Sequence, residues 1–148
     1  MNNITCFLAA PISGFSDEDI YKEYREKVLK LISFLRVNSI DVYSEVEKIG
    51  QGSTYDSPGQ SVIQDFSKII ESDLFIMLHP KRLQTSTLIE LGYAYALNKK
   101  IIIVGTKATL PFLALGLPEA NNHTKIIESL DINDSVCAAI IDIIMSHD

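Results

Sequence analysis

The chain has 148 residues, 47% of them hydrophobic and 22% charged, which is the make-up of one globular domain spanning 1–148 with a proper core. Thirteen basic residues, scattered along the chain, against nineteen acidic ones give a net charge of −6; this excludes the electrostatic footprint of a nucleic-acid polymer binder and leaves a small molecule as the expected partner. No apolar run reaches membrane-spanning length, and the opening ITCFLAAPI lacks the preceding Lys or Arg of a signal peptide, so a cytoplasmic protein that does not engage a membrane is expected.

Residues 4–10, ITCFLAA, form a continuous apolar run ended by Pro11, as expected of a strand buried on both faces. A turn at Pro11-Ile12-Ser13-Gly14 follows. Ser16 fits the cap of a helix over 17–36, with Asp17, Glu18 and Asp19 in its first turn and Ile20, Tyr24, Val28, Leu31, Ile32 and Leu35 in one apolar stripe. IDVYS at 40–44 alternates as a more exposed strand does, and GQGSTYDSPG at 50–59 is a polar loop. The next helix covers 60–71, its apolar side made of Val62, Phe66, Ile69 and Ile70, with Asp65 at the edge of that stripe. Asp73 then precedes LFIML at 74–78, a second apolar strand that ends at His79. Beyond a third apolar strand at 101–105, Pro111, Gly116 and Pro118 interrupt the pattern; a short strand at 124–128 and an amphipathic helix at 133–146 complete the chain. Cys6 falls in a strand and Cys137 in a helix, with no CxxC and no adjacent His, which predicts two buried thiols.

Strands and helices that alternate in this way predict an α/β domain: a doubly wound, mostly parallel flavodoxin- or Rossmann-like sheet with helices on both faces. Ligands of such sheets bind beyond the carboxyl ends of the strands, where the loops carrying Ser13 and Gly14, His79 to Thr87, and Gly105 to Thr109 converge.

The stretch 84–100, QTSTLIELGYAYALNKK, reads as a helix apolar on nearly every side and closed by Lys99 and Lys100, hence a helix buried in the domain. Its one acid, Glu90, therefore needs a reason. Thr87 and Glu90 have the T-x-x-E spacing of a capping box, which would make the acid structural. Alternatively, Glu90 is a reactive carboxylate at the mouth of the cleft. The spacing is compatible with both.

AAPISG at 9–14, Asp65 eight residues before Asp73, and ELGYAYALNKKIIIV at 90–104 together resemble the nucleoside 2-deoxyribosyltransferase family, which includes nucleoside 5′-monophosphate N-glycosidases. The likeness covers most of residues 4–105. It implies that Glu90 is the catalytic nucleophile, which takes the sugar at C1′ as a covalent glycosyl-enzyme, and that Asp65 assists on the side of the departing base. Such chemistry passes through an oxocarbenium-like state and asks for no metal or cofactor. Gln84 stands where similar transferases carry an aspartate and the monophosphate hydrolases a serine. Ser13, Gly14, Ser86 and Thr87 are candidates for binding the substrate, a phosphate included, with Lys81 or Arg82 adding charge. By the same resemblance a homodimer or larger homo-oligomer is expected.

Two other functions fit the pattern. A TIR-like enzyme that cleaves NAD shares the layout and a glutamate at a comparable helix, and the S-x-x-x-E spacing of Ser86 and Glu90 is compatible with it. A non-catalytic module that binds a nucleotide signal would keep the pocket without turnover. Asp73 and His79 are read as structural, and Tyr93 and Tyr95 as packing residues.

Overall fold

The computed structural model describes residues 3–50, 57–83 and 85–146. Five strands, β1 (Ile4–Ala9), β2 (Ile40–Tyr43), β3 (Leu74–Leu78), β4 (Lys100–Gly105) and β5 (Thr124–Glu128), form one sheet in the order β2-β1-β3-β4-β5, every pair parallel. That is the flavodoxin-like order, which reverses between β1 and β3. Among the described residues the helices are α1 (Glu18–Val37), α2 (Glu45–Gly50), α3 (Pro58–Glu71), α4 (Thr87–Ala96), α5 (Phe112–Ala120) and α6 (Asp134–Met145).

Successive strand residues point to opposite faces, and the apolar strands therefore feed two cores. Cys6, Leu8 and Ala10, with Leu74, Ile76 and Leu78, meet α1 and α6 on one side. Phe7 and Ala9, with Phe75, Met77, Ile101 and Ile103, meet Ile69 of α3, Leu91 and Ala94 of α4 and Ala114 of α5 on the other. Both cysteines are free and buried, as their positions predicted.

Asp73 is structural: its carboxylate accepts the Thr5 N–H at 2.9 Å and the Thr5 hydroxyl at 3.0 Å, tying the start of β3 to β1. His79 is 1% exposed at the strand end, with its N–H donating to the Val104 carbonyl.

Several expectations are corrected. The cap of α1 is Asp17, which accepts from the Asp19 and Ile20 N–H groups, because its carboxylate outcompetes the hydroxyl one residue earlier. Ile20 lies on the exposed side of that helix. The third helix begins earlier than residue 60: Ser57 and Gln60 form a capping box around Pro58. Its stripe is only partly covered, with Ile69 buried but Val62 and Ile70 exposed. Residues 45–50 are helical, and the segment read as broken holds α5, whose Pro118 sits inside the helix. The polar loop expected over 50–59 is described only from residue 57 onward; its residues 51–56 lie outside the described residues.

The stretch 84–100 is helical over ten residues only, and it is not buried all round, since Ile89 is 67% exposed. Asn98, at φ 57°, ends it. Lys99 and Lys100 serve other helices. The Lys99 ammonium donates to the Ile70 and Ser72 carbonyls at the end of α3, and that of Lys100 to the Ile143 carbonyl at the end of α6. Their long stems reach carbonyls across the fold that α3 and α6 leave without partners.

Candidate active site

The first question is whether Glu90 is a cap. Thr87 is the first residue inside α4, and its N–H donates to the Thr85 hydroxyl at 3.1 Å while the two hydroxyls share a hydrogen bond of 2.5 Å. The Leu88 N–H goes to the Thr85 carbonyl. Ser86 is the cap residue and makes no side-chain cap bond; its carbonyl takes the Ile89 and Glu90 N–H groups, Thr85 serves those of Thr87 and Leu88, and the Thr87–Glu90 box does not form.

Released from that duty, the Glu90 carboxylate lies at the end of the sheet where the strands finish, 9% exposed, and near enough to Asp65 for the two carboxyls to act on each other's charge. Two features of the sequence bring the acids together. Asp65 and Glu90 lie on neighbouring helices of one face, and beside them the Phe66 ring of α3 stacks on the Tyr93 ring of α4 at 4.0 Å and 14°. Phe66 follows Asp65 directly and Tyr93 is one turn beyond Glu90, so the stack fixes their register.

Burial disfavours the charge on Glu90, and the Asp65 carboxylate disfavours it further; its pKa is pushed up to about 8. Asp65 is pushed up to about 7, by burial first and then by its hydrogen bond and charge contact with Glu45. Two carboxyls that resist joint ionisation hold one proton between them around neutral pH. A nucleophilic carboxylate beside a protonated acid has that same proton count.

The end of β2 forms a third side that the sequence reading did not single out. The Tyr43 hydroxyl donates to Glu45 at 3.0 Å, lies 3.5 Å from Asp65, and accepts from the Lys48 ammonium at 2.9 Å. Its ring leans on Phe7, which stacks on Phe75. The alternation of IDVYS gave a strand but not which way the hydroxyl of its tyrosine would reach.

The remaining candidates sit apart from the pair. Ser13 and Ser86 are exposed, Thr87 is buried with its hydroxyl engaged by Thr85, and the Ser86 carbonyl accepts the Glu90 N–H at 3.2 Å, but no side-chain hydrogen bond between described residues joins the three to either carboxylate. Gly14 has φ +88°, and a Cβ there would come within 3.0 Å of Leu83, so the loops after β1 and β3 do converge on it. A cavity of ≈ 200 Å³ opens beside Ser13, Gly14, Ser16 and Tyr21. Lys81 lies 5.4 Å from the centre of the Phe15 ring, an attractive cation–aromatic contact, while Arg82 is exposed. Gln84 lies outside the described residues. Gly14→Ala is expected to lower stability by about 1–2 kcal/mol, since the conformation and the contact both oppose a side chain; thermal unfolding checks it.

Residues 6–128 match the family described as nucleoside 2-deoxyribosyltransferase. The chain belongs to that family. Among solved structures it is similar to the CMP N-glycosidase BcmB of Clostridium botulinum, with 24% identity, TM-score 0.69, and 93% of this chain and 98% of that one covered. It is also similar to BlsM, with 19% identity, TM-score 0.73, and 95% and 88% covered. A 2-deoxyribosyltransferase of Bacillus psychrosaccharolyticus shares 16% identity at TM-score 0.55, with 90% and 95% covered. At these identities the three establish a shared fold. No curated protein matches the chain. Among the described residues no group of three or more His, Cys, Asp or Glu side chains is placed to hold a metal ion, and no helix is long and apolar enough to cross a membrane.

Proposed function

We propose that this member of the nucleoside 2-deoxyribosyltransferase family cleaves the N-glycosidic bond of a nucleotide 5′-monophosphate or nucleoside, with Glu90 as nucleophile and Asp65 as acid. The observation that carries the reading is the pairing of buried Glu90 with half-buried Asp65, each acting on the other's ionisation, at the ligand-binding end of the sheet, with the glutamate not engaged as a cap of its helix. In the first step a Glu90 oxygen bonds to C1′ as the C1′–N bond breaks, and the base nitrogen takes the bond's electron pair and Asp65's proton. Water then attacks C1′, its proton passes to Asp65, and the C1′–O bond pair returns to Glu90. The net result is free base and free sugar, or sugar 5′-phosphate when the substrate is a nucleotide.

Ser13 and Gly14 of the first loop, with Ser86 and Thr87 before and within the first turn of α4, are proposed to receive the sugar end and any 5′-phosphate. Thr87 would act there only by exchanging its hydrogen bond with Thr85. The exposed Val62, Ile63 and Ile70 of α3, with Ile89 of α4, support self-association into a homodimer or larger assembly. Light scattering on the purified protein tests this.

Incubation with nucleosides, their ribo- and deoxy-monophosphates and NAD, followed by chromatography of the released base, tests the function. Release from a nucleoside or monophosphate supports the proposal. Nicotinamide released from NAD alone would replace it with the TIR-like reading, and binding without release would leave a nucleotide-sensing module.

The shared proton predicts a bell-shaped profile for kcat/KM. Below about 7 the pair gains a second proton and Glu90 loses its nucleophilic form; above about 8 the last proton leaves and the acid is gone. Activity is expected to peak between those values, as initial rates across pH will show.

A further inference from the structure

A second hollow, of ≈ 200 Å³, opens at the carboxyl ends of the strands on the α1/α6 side of the sheet, away from the α3/α4 side that carries Asp65 and Glu90. Phe15 from the loop after β1, Lys81 after β3, and Leu130 and Ile132 after β5 close it against Ile20 and Tyr24 of α1. Two of these side chains are poorly placed for a site that holds only water. Ile20 continues the apolar stripe of α1 yet is 45% exposed, and Leu130 is 64% exposed. Together they leave apolar carbon facing solvent around a concavity, and covering it with a ligand removes that area from water.

The remaining features define what the hollow would take. One wall is aromatic: the Phe15 ring lies 4.9 Å from that of Tyr24 and 5.3 Å from that of Tyr21. The charges around it are sorted unequally. Lys27 is already neutralised by Asp131 at 2.6 Å and Glu23 at 3.8 Å. Lys81 is different, since among the described residues it pairs with no carboxylate, and its ammonium lies 5.4 Å from the centre of the Phe15 ring.

We propose that this hollow is a second ligand site, for a single aromatic ring bearing a carboxylate, with the ring set against Phe15, Ile20 and Leu130 and the carboxylate on the Lys81 ammonium. An aromatic wall with an apolar rim selects a flat ring. A cation without a counter-charge selects an anion. The volume lies below the ~300–1,000 Å³ of sites for drug-sized molecules, so it holds one ring with a small substituent and not a whole nucleotide. Binding is non-covalent, and it ties together the loops after β1, β3 and β5.

Benzoate is the probe, because it is neither a substrate nor a product of glycosidic cleavage. In amide NMR spectra of the whole protein, benzoate is expected to move the signals of Phe15, Lys81 and Leu130 along one saturating curve, with a Kd on the order of 1 mM. Benzamide has the same shape without the charge and should bind about fivefold more weakly. Lys81→Met keeps much of the stem; it should weaken benzoate to the level of benzamide and leave benzamide unchanged. Leu130→Glu, at an exposed position, should abolish benzoate binding by placing a like charge on the rim. Signals that do not saturate, or that move around Asp65 and Glu90 instead, would overturn the inference. So would benzamide binding as tightly as benzoate, or benzoate binding unchanged in Lys81→Met. No turnover enters the measurement, so its result is independent of the glycosidase reading.

Discussion

Glu90→Gln is expected to lower base release by at least about 10³-fold while leaving nucleotide binding within a few-fold of the parent. The amide keeps the shape and one acceptor oxygen but cannot form a stable bond to C1′, so the loss falls on kcat. The same variant should be more stable at alkaline pH. A buried carboxyl whose pKa is raised contributes its stability fully below its ordinary value of 4.5 and loses it as pH climbs toward about 8. Glutamine has no charge to bury. The variant should therefore exceed the parent by on the order of 2 kcal/mol near pH 8.5 and show no advantage near pH 4. Paired thermal or urea melts at the two values check this. Lost activity with lost stability at both would mean that Glu90 is only a packing residue.

Asp65→Asn is the second large effect, expected to cost about 10²–10³-fold in kcat for a substrate whose base must be protonated to leave. Asparagine cannot supply a proton to the leaving nitrogen. The loss should shrink for substrates whose base departs without one: a cationic pyridinium such as the nicotinamide of NAD leaves as a neutral ring. Comparing the variant's deficit across nucleotides with different bases measures this dependence. An equal deficit for every base would show that Asp65 does not act on the leaving group.

The legibility of this site was uneven, for physical reasons. Alternation of period and apolar runs sufficed for the sheet, because strands such as LFIML that are covered on both faces have no other stable state. Glu90 stood out because an acid amid apolar helix residues demands a reason. Asp65 was marked only by the family resemblance: at the edge of a half-covered stripe it looks like any solvated carboxylate, and its partner across α3 and α4 is a tertiary fact. The capping box stayed open in the sequence because T-x-x-E spacing does not reveal that the helix starts from Ser86, with Thr85 taking the Thr87 N–H. Lys99 and Lys100 were assigned to their own helix, since sequence gives no view of the carbonyls of α3 and α6 that they reach. The helix α5 was missed because FLALGLPEA contains a glycine and a proline that weaken helix propensity, and its docking on the sheet through Ala114 overrides that. Tyr43, Glu45 and Lys48 are near neighbours in the chain, yet their common target is a residue of another helix.

The account turns on a bond between Glu90 and the sugar. Acid-quenching the enzyme within its first turnovers on its best substrate, then digesting it and weighing the peptide that carries Glu90, tests that bond directly. The account predicts a fraction of the peptide heavier by one sugar or sugar-phosphate residue, with the mass absent in Glu90→Gln. Steady base release with no such species at any quench time, and with inversion at C1′ in the sugar product, would contradict it and leave Glu90 as a base for a single displacement by water.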